Sequence, residues 1–255
     1  MFFRNVHVFT SRLKKITSTM NAIASGKMGL DTSIEIKGND ELDEVATSFN
    51  QMSQSLKKEQ EREQEEGWVK THIAEITKSM SGQKTPDALA ETFLSEIVPL
   101  VEGSHAVFYI AEESQEEEPI FTLRASYAFK ERQHMKTAFR LGEGLVGQCA
   151  YEKKPIILAN VPRDYIAIQS GLGEAPPCFL YLLPVIHEGE VKGIMEIASF
   201  QPFEDKEQRL LEELVSNLGI TLDNVIGRIK QAKLLEETQT LMEEIQTQSE
   251  ELQTQ

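Results

Sequence analysis

The first apolar positions of the chain fall into two narrow helical stripes. Leu13, Ile16, Met20 and Ile23 make the first, and Leu42, Val45, Phe49, Met52 and Leu56 the second. Steps of three and four residues set each group along one helix face, with the width of a seam rather than of a broad core face. Gly26 and Gly29 close the first helix, and a connector from Leu30 to Gly38 carries Ile34 and Ile36 as its apolar points. Asp40 and Glu41 stand where the second helix begins, so negative charge meets the positive end of the helix dipole. Two such stripes make too small a core for a monomer. Two chains pairing as a parallel four-helix bundle would bury them all, and a homodimer is expected.

Between Leu56 and Trp68 the apolar signal vanishes, and residues 57–66 read KKEQEREQEE. A helix polar all round is a solvated spacer or is marginal alone. Met52, Ile73 and Met80 are whole heptads apart, whereas Glu59, Glu63 and Glu66 continue the upstream three-four pattern. In a parallel dimer each of those glutamates would face its own copy and weaken the pairing. A plain spacer and a weak stretch through which helix rotation passes both fit this pattern.

Residues 82–228 read as a globular domain. Leu89, Phe93, Ile97 and Leu100 mark a helix. Residues 105–111 (HAVFYIA) and 120–126 (IFTLRAS) read as paired strands around a charged loop. Gly142 opens a further helix, residues 155–160 form a strand, and residues 179–186 and 191–199 form a hairpin across His187–Glu190. A long helix from about Glu204 carries Leu210, Leu211, Leu214, Leu218, Leu222, Val225 and Ile229. The fold class is α+β, an antiparallel sheet covered by helices. From Lys230 on, thin apolar marks at Leu234, Leu235, Leu241, Ile245 and Leu252 suit a coiled-coil linker.

Composition narrows the function. Among 255 residues, 41 acidic side chains against 26 basic ones give a net charge of −15, which opposes non-specific nucleic-acid binding. Two cysteines, Cys149 and Cys178, make no disulfide framework and are expected as small buried hydrophobes. No apolar run reaches the ~20 residues of a membrane span. Phe2, Phe3, Val6, Val8 and Phe9 are followed by Arg12, Lys14 and Lys15; that order fits the cytosolic flank of an upstream spanning helix, or a frayed terminus.

Three runs in the helical part, Ala-Ser-Gly-Lys-Met (24–28), Asn-Asp-Glu-Leu (39–42) and Ser-Phe-Asn-Gln-Met (48–52), resemble a HAMP domain, the helical relay below the membrane in bacterial sensors. The proline usual in its first helix is absent, and Ser11-Arg12-Leu13 occupies the place. The globular part resembles a GAF domain throughout, on Leu-Gly-Glu-Gly-Leu-Val-Gly-Gln (141–148), Pro-Ile-Ile-Leu (155–158), Leu-Pro-Val (183–185), residues 188–199 and Pro-Phe (202–203). The expected organisation is a juxtamembrane remnant (1–10), a HAMP domain (11–58), a helical linker (59–81), a GAF domain (82–228) and a coiled-coil linker (229–255) flanking in long dimeric helices. The last segment is similar to linkers before the kinase core of hybrid sensor histidine kinases.

Enzyme chemistry finds little support. Gly142, Gly144 and Gly147, with Asp164 further on, match a dinucleotide fingerprint. No buried strand precedes them, however, and no repeated βαβ unit surrounds them. The glycines are read instead as a sharp turn with close helix packing, and Glu143 as lying near a helix start. The His72 and His187 surroundings lack a phosphoacceptor box, and no ATP-binding motif is present. No metal-ligand spacing is visible, and no cofactor is expected. The GAF resemblance implies a ligand cleft beneath residues 162–178. Tyr165, Ile168, Cys178, Phe179 and Tyr181, with Phe108 and Tyr127, are its candidate lining, or else simply core. Ile16, Met20, Leu42, Phe49 and Met52 are the candidate relay core.

The function expected is a non-enzymatic sensing and transmission module. It would act as a homodimer on the cytoplasmic side of the bacterial inner membrane, between an upstream membrane segment and a downstream kinase core. A small-molecule ligand in the GAF domain is compatible with this reading, and nucleic acid is not. The alternatives are a ligand-free structural spacer and the same module in a chemoreceptor-like transducer.

Overall fold

The computed structural model describes residues 2–35, 40–112, 118–128, 136–162, 168–170 and 173–253. It divides into two compact units, Met1–Trp68 and Val69–Gln255.

The first unit holds helix α1 (Phe2–Ala24) and the first part of α2 (Glu41–Met80). The apolar stripe starts only at Leu13, but α1 already begins at Phe2. Gly26 ends it with φ +70°, and Lys27 and Met28 donate back to the Ala22 carbonyl, a glycine-dependent left-handed stop. At the start of α2, Asp43 and Glu44 donate to the Asp40 carbonyl, and the Asp40 N–H donates to Asp43 Oδ2 at 3.1 Å. An acid in the first turn thus reciprocates the cap. Ile16, Ile34, Leu42, Ala46 and Phe49 form one buried cluster, with Met20 and Ile23 packed against it. Val45, Met52 and Leu56 lie on another side of α2 and are exposed.

The second unit begins with the end of α2, where Val69, Ile76 and Met80 are buried. Helix α3 (Pro86–Leu100) follows, capped by Thr85, whose hydroxyl accepts from the Ala88 N–H; proline at the first helical position suits this start. Strands β1 (His105–Glu112), β2 (Ile120–Tyr127), β3 (Ala138–Arg140), β4 (Ile156–Ala159), β7 (Phe179–His187) and β8 (Glu190–Ser199) make one antiparallel sheet in the order β3-β2-β1-β8-β7-β4. Helix α4 (Gly144–Glu152) precedes β4, and α5 (Asp205–Gln253) ends the described chain. Glu188 and Gly189, both at positive φ, form the tight β7–β8 turn, as a two-residue hairpin requires.

The α+β class holds, with two differences of detail. Residues 162–178, in which the sequence shows no strand pattern, contain a short ladder of β5 (Ile168–Ser170) with β6 (Gly173–Ala175). Three-residue strands are too short to show alternation in sequence. Ala138–Arg140, in a stretch that does not read as a buried strand, pairs with β2 at the sheet edge.

Candidate functional site

Strand pairing gives the sheet two faces. Cross-strand partners share a face, and successive residues alternate. On one side Val107, Tyr109, Phe121, Leu180, Leu182, Ile194 and Ala198 pack with Val146, Cys149 and Ala150 of α4. On the other side lie α3 and α5. There the Phe93 and Phe108 rings meet edge to face at 6.3 Å, and Tyr181 donates a 2.8 Å hydrogen bond to Glu212 Oε1.

The seven candidate lining residues do not converge. Phe108 and Tyr181 are fully buried on the α3/α5 side. Tyr127, opposite Ala106, and Phe179, opposite Ser199, share that phase of the alternation. Ile168 alone packs against the α4-side cluster. Cys178, expected as a buried hydrophobe, is exposed because it sits before β7 begins, where its N–H donates to the Ser199 carbonyl. Tyr165 lies outside the described residues. The aromatic candidates lie one residue out of phase with the α4 face, and a one-residue slip exchanges the faces of a strand.

What the α4 face carries instead is an acid. Glu196 lies between Ile194 and Ala198 on β8, opposite Val107 on one side and Leu182 on the other. It is half-buried, makes no hydrogen bond or ion pair with any described residue, and partial loss of hydration raises its pKa to about 7. Cys149, from α4, is near enough to feel its charge. Burial first, then Glu152 and Glu196, push that thiol up to about 12, so Cys149 is an inert thiol that donates to the Lys154 carbonyl. The sequence signal for Glu196 was available: an acid flanked by Met195 and Ile197 in the middle of a strand apolar on both faces.

The glycine-rich turn into α4 is structural. The Gly142 N–H donates to the Gly147 carbonyl and the Gly147 N–H to the Glu143 carbonyl. A Cβ on Gly147 would fall 2.1 Å from the Arg140 carbonyl oxygen. Glu143, at the cap position of α4, accepts from the Arg140 N–H at 3.0 Å and pairs with Lys136, which lowers its pKa. Asp164 lies outside the described residues.

A cavity of about 690 Å³ opens at the end of the sheet where β8 starts, lined among others by Phe121, Arg124, Lys153, Lys192, Asp223 and Ile226. Two of its cations are neutralised within the protein. Arg124 donates to Asp87 and Glu112, and Lys192 pairs with Glu190 and Asp223. None of the described candidate residues lines it.

In the first unit Ile16, Leu42 and Phe49 meet in one cluster with Met20 at its margin, while Met52 stands apart, 51% exposed. Asn50 holds the connector to α2 through Ile34. Arg12, in the Ser11-Arg12-Leu13 run, donates to both carboxylate oxygens of Asp40 at 2.6 and 3.0 Å and to Asp43 at 2.8 Å.

The sequence model of the GAF domain matches residues 83–223. The chain belongs to the GAF-domain family. The GAF domain of a phosphoenolpyruvate-protein phosphotransferase from Coxiella burnetii is 20% identical, with a TM-score of 0.52 over 64% of this chain and 96% of that one. Its counterpart from Acinetobacter is 16% identical, with a TM-score of 0.50 over 62% and 93%. At such identities the likeness is one of fold: a curled antiparallel GAF sheet with helices. A HAMP-domain model matches residues 4–58. HAMP and GAF domains together mark the chain as a sensory or signal-transduction module. Among the described residues no helix is long and apolar enough to cross a membrane.

Proposed function

We propose that the chain is the sensing and relay portion of a sensor histidine kinase, working as a parallel homodimer below a membrane segment and passing its state to a kinase core. The carrying observation is the division of the first unit's apolar side chains. Ile16, Leu42 and Phe49 are buried within one chain, whereas Leu13, Val45, Met52 and Leu56 are exposed. An apolar helix side left in water is a surface for a second helix pair, and a second copy supplies one. The far end of α5 repeats this, with Leu234, Leu235, Leu241, Met242 and Ile245 exposed. The chain itself performs no catalysis in this reading; a stimulus changes the balance between two helix packings.

Sedimentation equilibrium on the chain, beside a variant carrying both Met52→Glu and Leu56→Glu, tests the pairing. A dimer that weakens at least tenfold in the variant is the expected result. A chain monomeric at high concentration, or a dimer indifferent to both charges, overturns it. A ligand-free spacer is the second reading, favoured by the filled positions of Phe108 and Tyr181.

A further inference from the structure

We propose that the cavity between the connector and α2 in the HAMP domain binds a small zwitterion, an α-amino acid with a polar side chain, over Ser53. The site lies outside the GAF domain, and it stands whether or not two chains pair. Asn50, Ser53, Gln54, Lys57, Lys58 and Glu61 are spaced three, one, three, one and three residues apart, so they share one side of α2. Residues 30–33 of the connector complete the wall around a cavity of about 410 Å³, within the size range of small-ligand clefts. The exposed apolar side chains Met52 and Leu56 fall on the opposite side of the helix. A second chain that covers them has no need to fill the cavity.

Ser53 is the residue that helix packing leaves unexplained. It continues the buried stripe of Leu42, Ala46 and Phe49 by one more four-residue step and is 2% exposed. Its hydroxyl has no hydrogen-bond partner. Other helical hydroxyls of this chain return to a carbonyl one turn back: Thr17 to Leu13, Thr47 to Asp43, Ser79 to Ile76 and Ser95 to Thr92. Thr77 is likewise unpartnered but borders neither this cavity nor the one at the sheet end. Alanine at position 53 would be buried without the cost of an unpaired hydroxyl. A hydroxyl in that place, beside a cavity, points to a partner from outside the chain.

The rim decides the charge of that partner. Lys57 leans on Glu61 at 3.8 Å, whereas the side chains of Asp31 and Lys58 make no hydrogen bond or ion pair with any described residue. A plain anion would meet the carboxylates of Asp31 and Glu61, and a plain cation the two lysines. A zwitterion gives its ammonium to Asp31 and its carboxylate to Lys58. Asn50 Nδ2 has spent one N–H on the Ile34 carbonyl and keeps a second, which with the Ser53 hydroxyl can hold the rest of the ligand. Among the described lining residues there is no aromatic ring, and Leu30 is the one apolar side chain, so the ligand's own side chain is polar. Bound there, it bridges the connector to α2 and gives the relay an input separate from the GAF domain.

Isothermal titration calorimetry of the full chain at pH 7 tests this. L-serine and L-glutamine are the probes, with sodium acetate, methylammonium chloride, sodium phosphate and glycerol as controls. Expected is saturable binding of at least one of the two amino acids, with slower amide exchange at Thr32, Ser33 and Ile34, and no comparable binding of any control. Ser53→Ala, Lys58→Gln and Asp31→Asn should each weaken the affinity at least tenfold, whereas Lys14→Gln, at an exposed position of α1, should not. Without ligand, Ser53→Ala should melt at or above the native midpoint. Absence of saturable binding of either probe overturns the proposal, as does equal affinity in native and variant chains. Acetate or phosphate bound as tightly as the amino acids overturns it too, since a plain anion would then suffice. So does a Ser53→Ala chain that melts well below native, because the hydroxyl would then be held by the protein itself.

Discussion

Asn50 holds the peptide of Ile34 on both sides: its Oδ1 accepts the Ile34 N–H at 2.8 Å and its Nδ2 donates to the Ile34 carbonyl at 3.0 Å. One side chain on α2 thereby fixes the connector where Ile34 enters the shared core, and two backbone groups that would otherwise be half-buried are satisfied. Asn50→Ala should lower stability by about 2 kcal/mol, the scale of leaving such groups unpaired. Amide hydrogen exchange should report faster exchange at Ile34, while the second unit's amides stay unchanged.

Gly147 supports a second prediction. With its Cβ position 2.1 Å from the Arg140 carbonyl oxygen, Gly147→Ala must push α4 off the preceding turn. A loss of about 2–4 kcal/mol in denaturant unfolding of the GAF domain is expected, within the range of severe backbone clashes. Gly142→Ala has open space around it but a φ of +76°, so its cost should be nearer 1 kcal/mol. An equal effect at both positions would contradict the packing argument.

The pH dependence of the GAF domain should carry the mark of Glu196. Partial loss of hydration raises this carboxyl from 4.5 to about 7, so between those values the folded state holds a proton that the unfolded state has released. Stability from this group is therefore complete below pH 4.5, declines as pH rises, and is gone above pH 7. The full span is about 3 kcal/mol at most. Urea midpoints at pH 5 and pH 8 should differ less in Glu196→Gln than in the native chain.

Tyr181 joins the sheet to α5. Its hydroxyl bonds to Glu212 and its ring packs against Phe203 at 6.0 Å, with 1% of the residue exposed. Tyr181→Phe keeps the ring and loses the bond, at about 1 kcal/mol. Burial first, and the neighbouring Glu212 carboxylate next, raise the phenol's pKa. Alkaline difference absorbance should accordingly find one tyrosine that ionises only as the domain unfolds, and that tyrosine should be missing in Tyr181→Phe.

Much of the fold was legible because its signals are local. Gly26, Asp40, Thr85 and the Glu188-Gly189 turn each end or start an element by their own chemistry. Leu210, Leu211, Leu214, Leu218 and Leu222 give α5 a buried side that repeats with the helix. The site was harder to read. Phe108 and Tyr181 are the large aromatics of central strands that are apolar on both faces, and period-two alternation cannot say which face of such a strand is which. That assignment comes only from register, from Val107 lying opposite Glu196 and Ala106 opposite Tyr127. Arg12 was hidden for another reason. Its partners Asp40 and Asp43 are far away in sequence, and nothing local in Ser11-Arg12-Leu13 announces them.

That last contact limits how parts of this protein can be exchanged. Consider a first helix taken from a HAMP domain that has no counterpart of Arg12. Such a helix grafted here would leave Asp40 without its bidentate cation and Asp43, 8% exposed, with a carboxylate facing no guanidinium. The inheritance unit is therefore not the helix. Arg12 and the acids of the α2 start must travel together, and a functional chimera should be joined either before Arg12 or after Asp43, never between them.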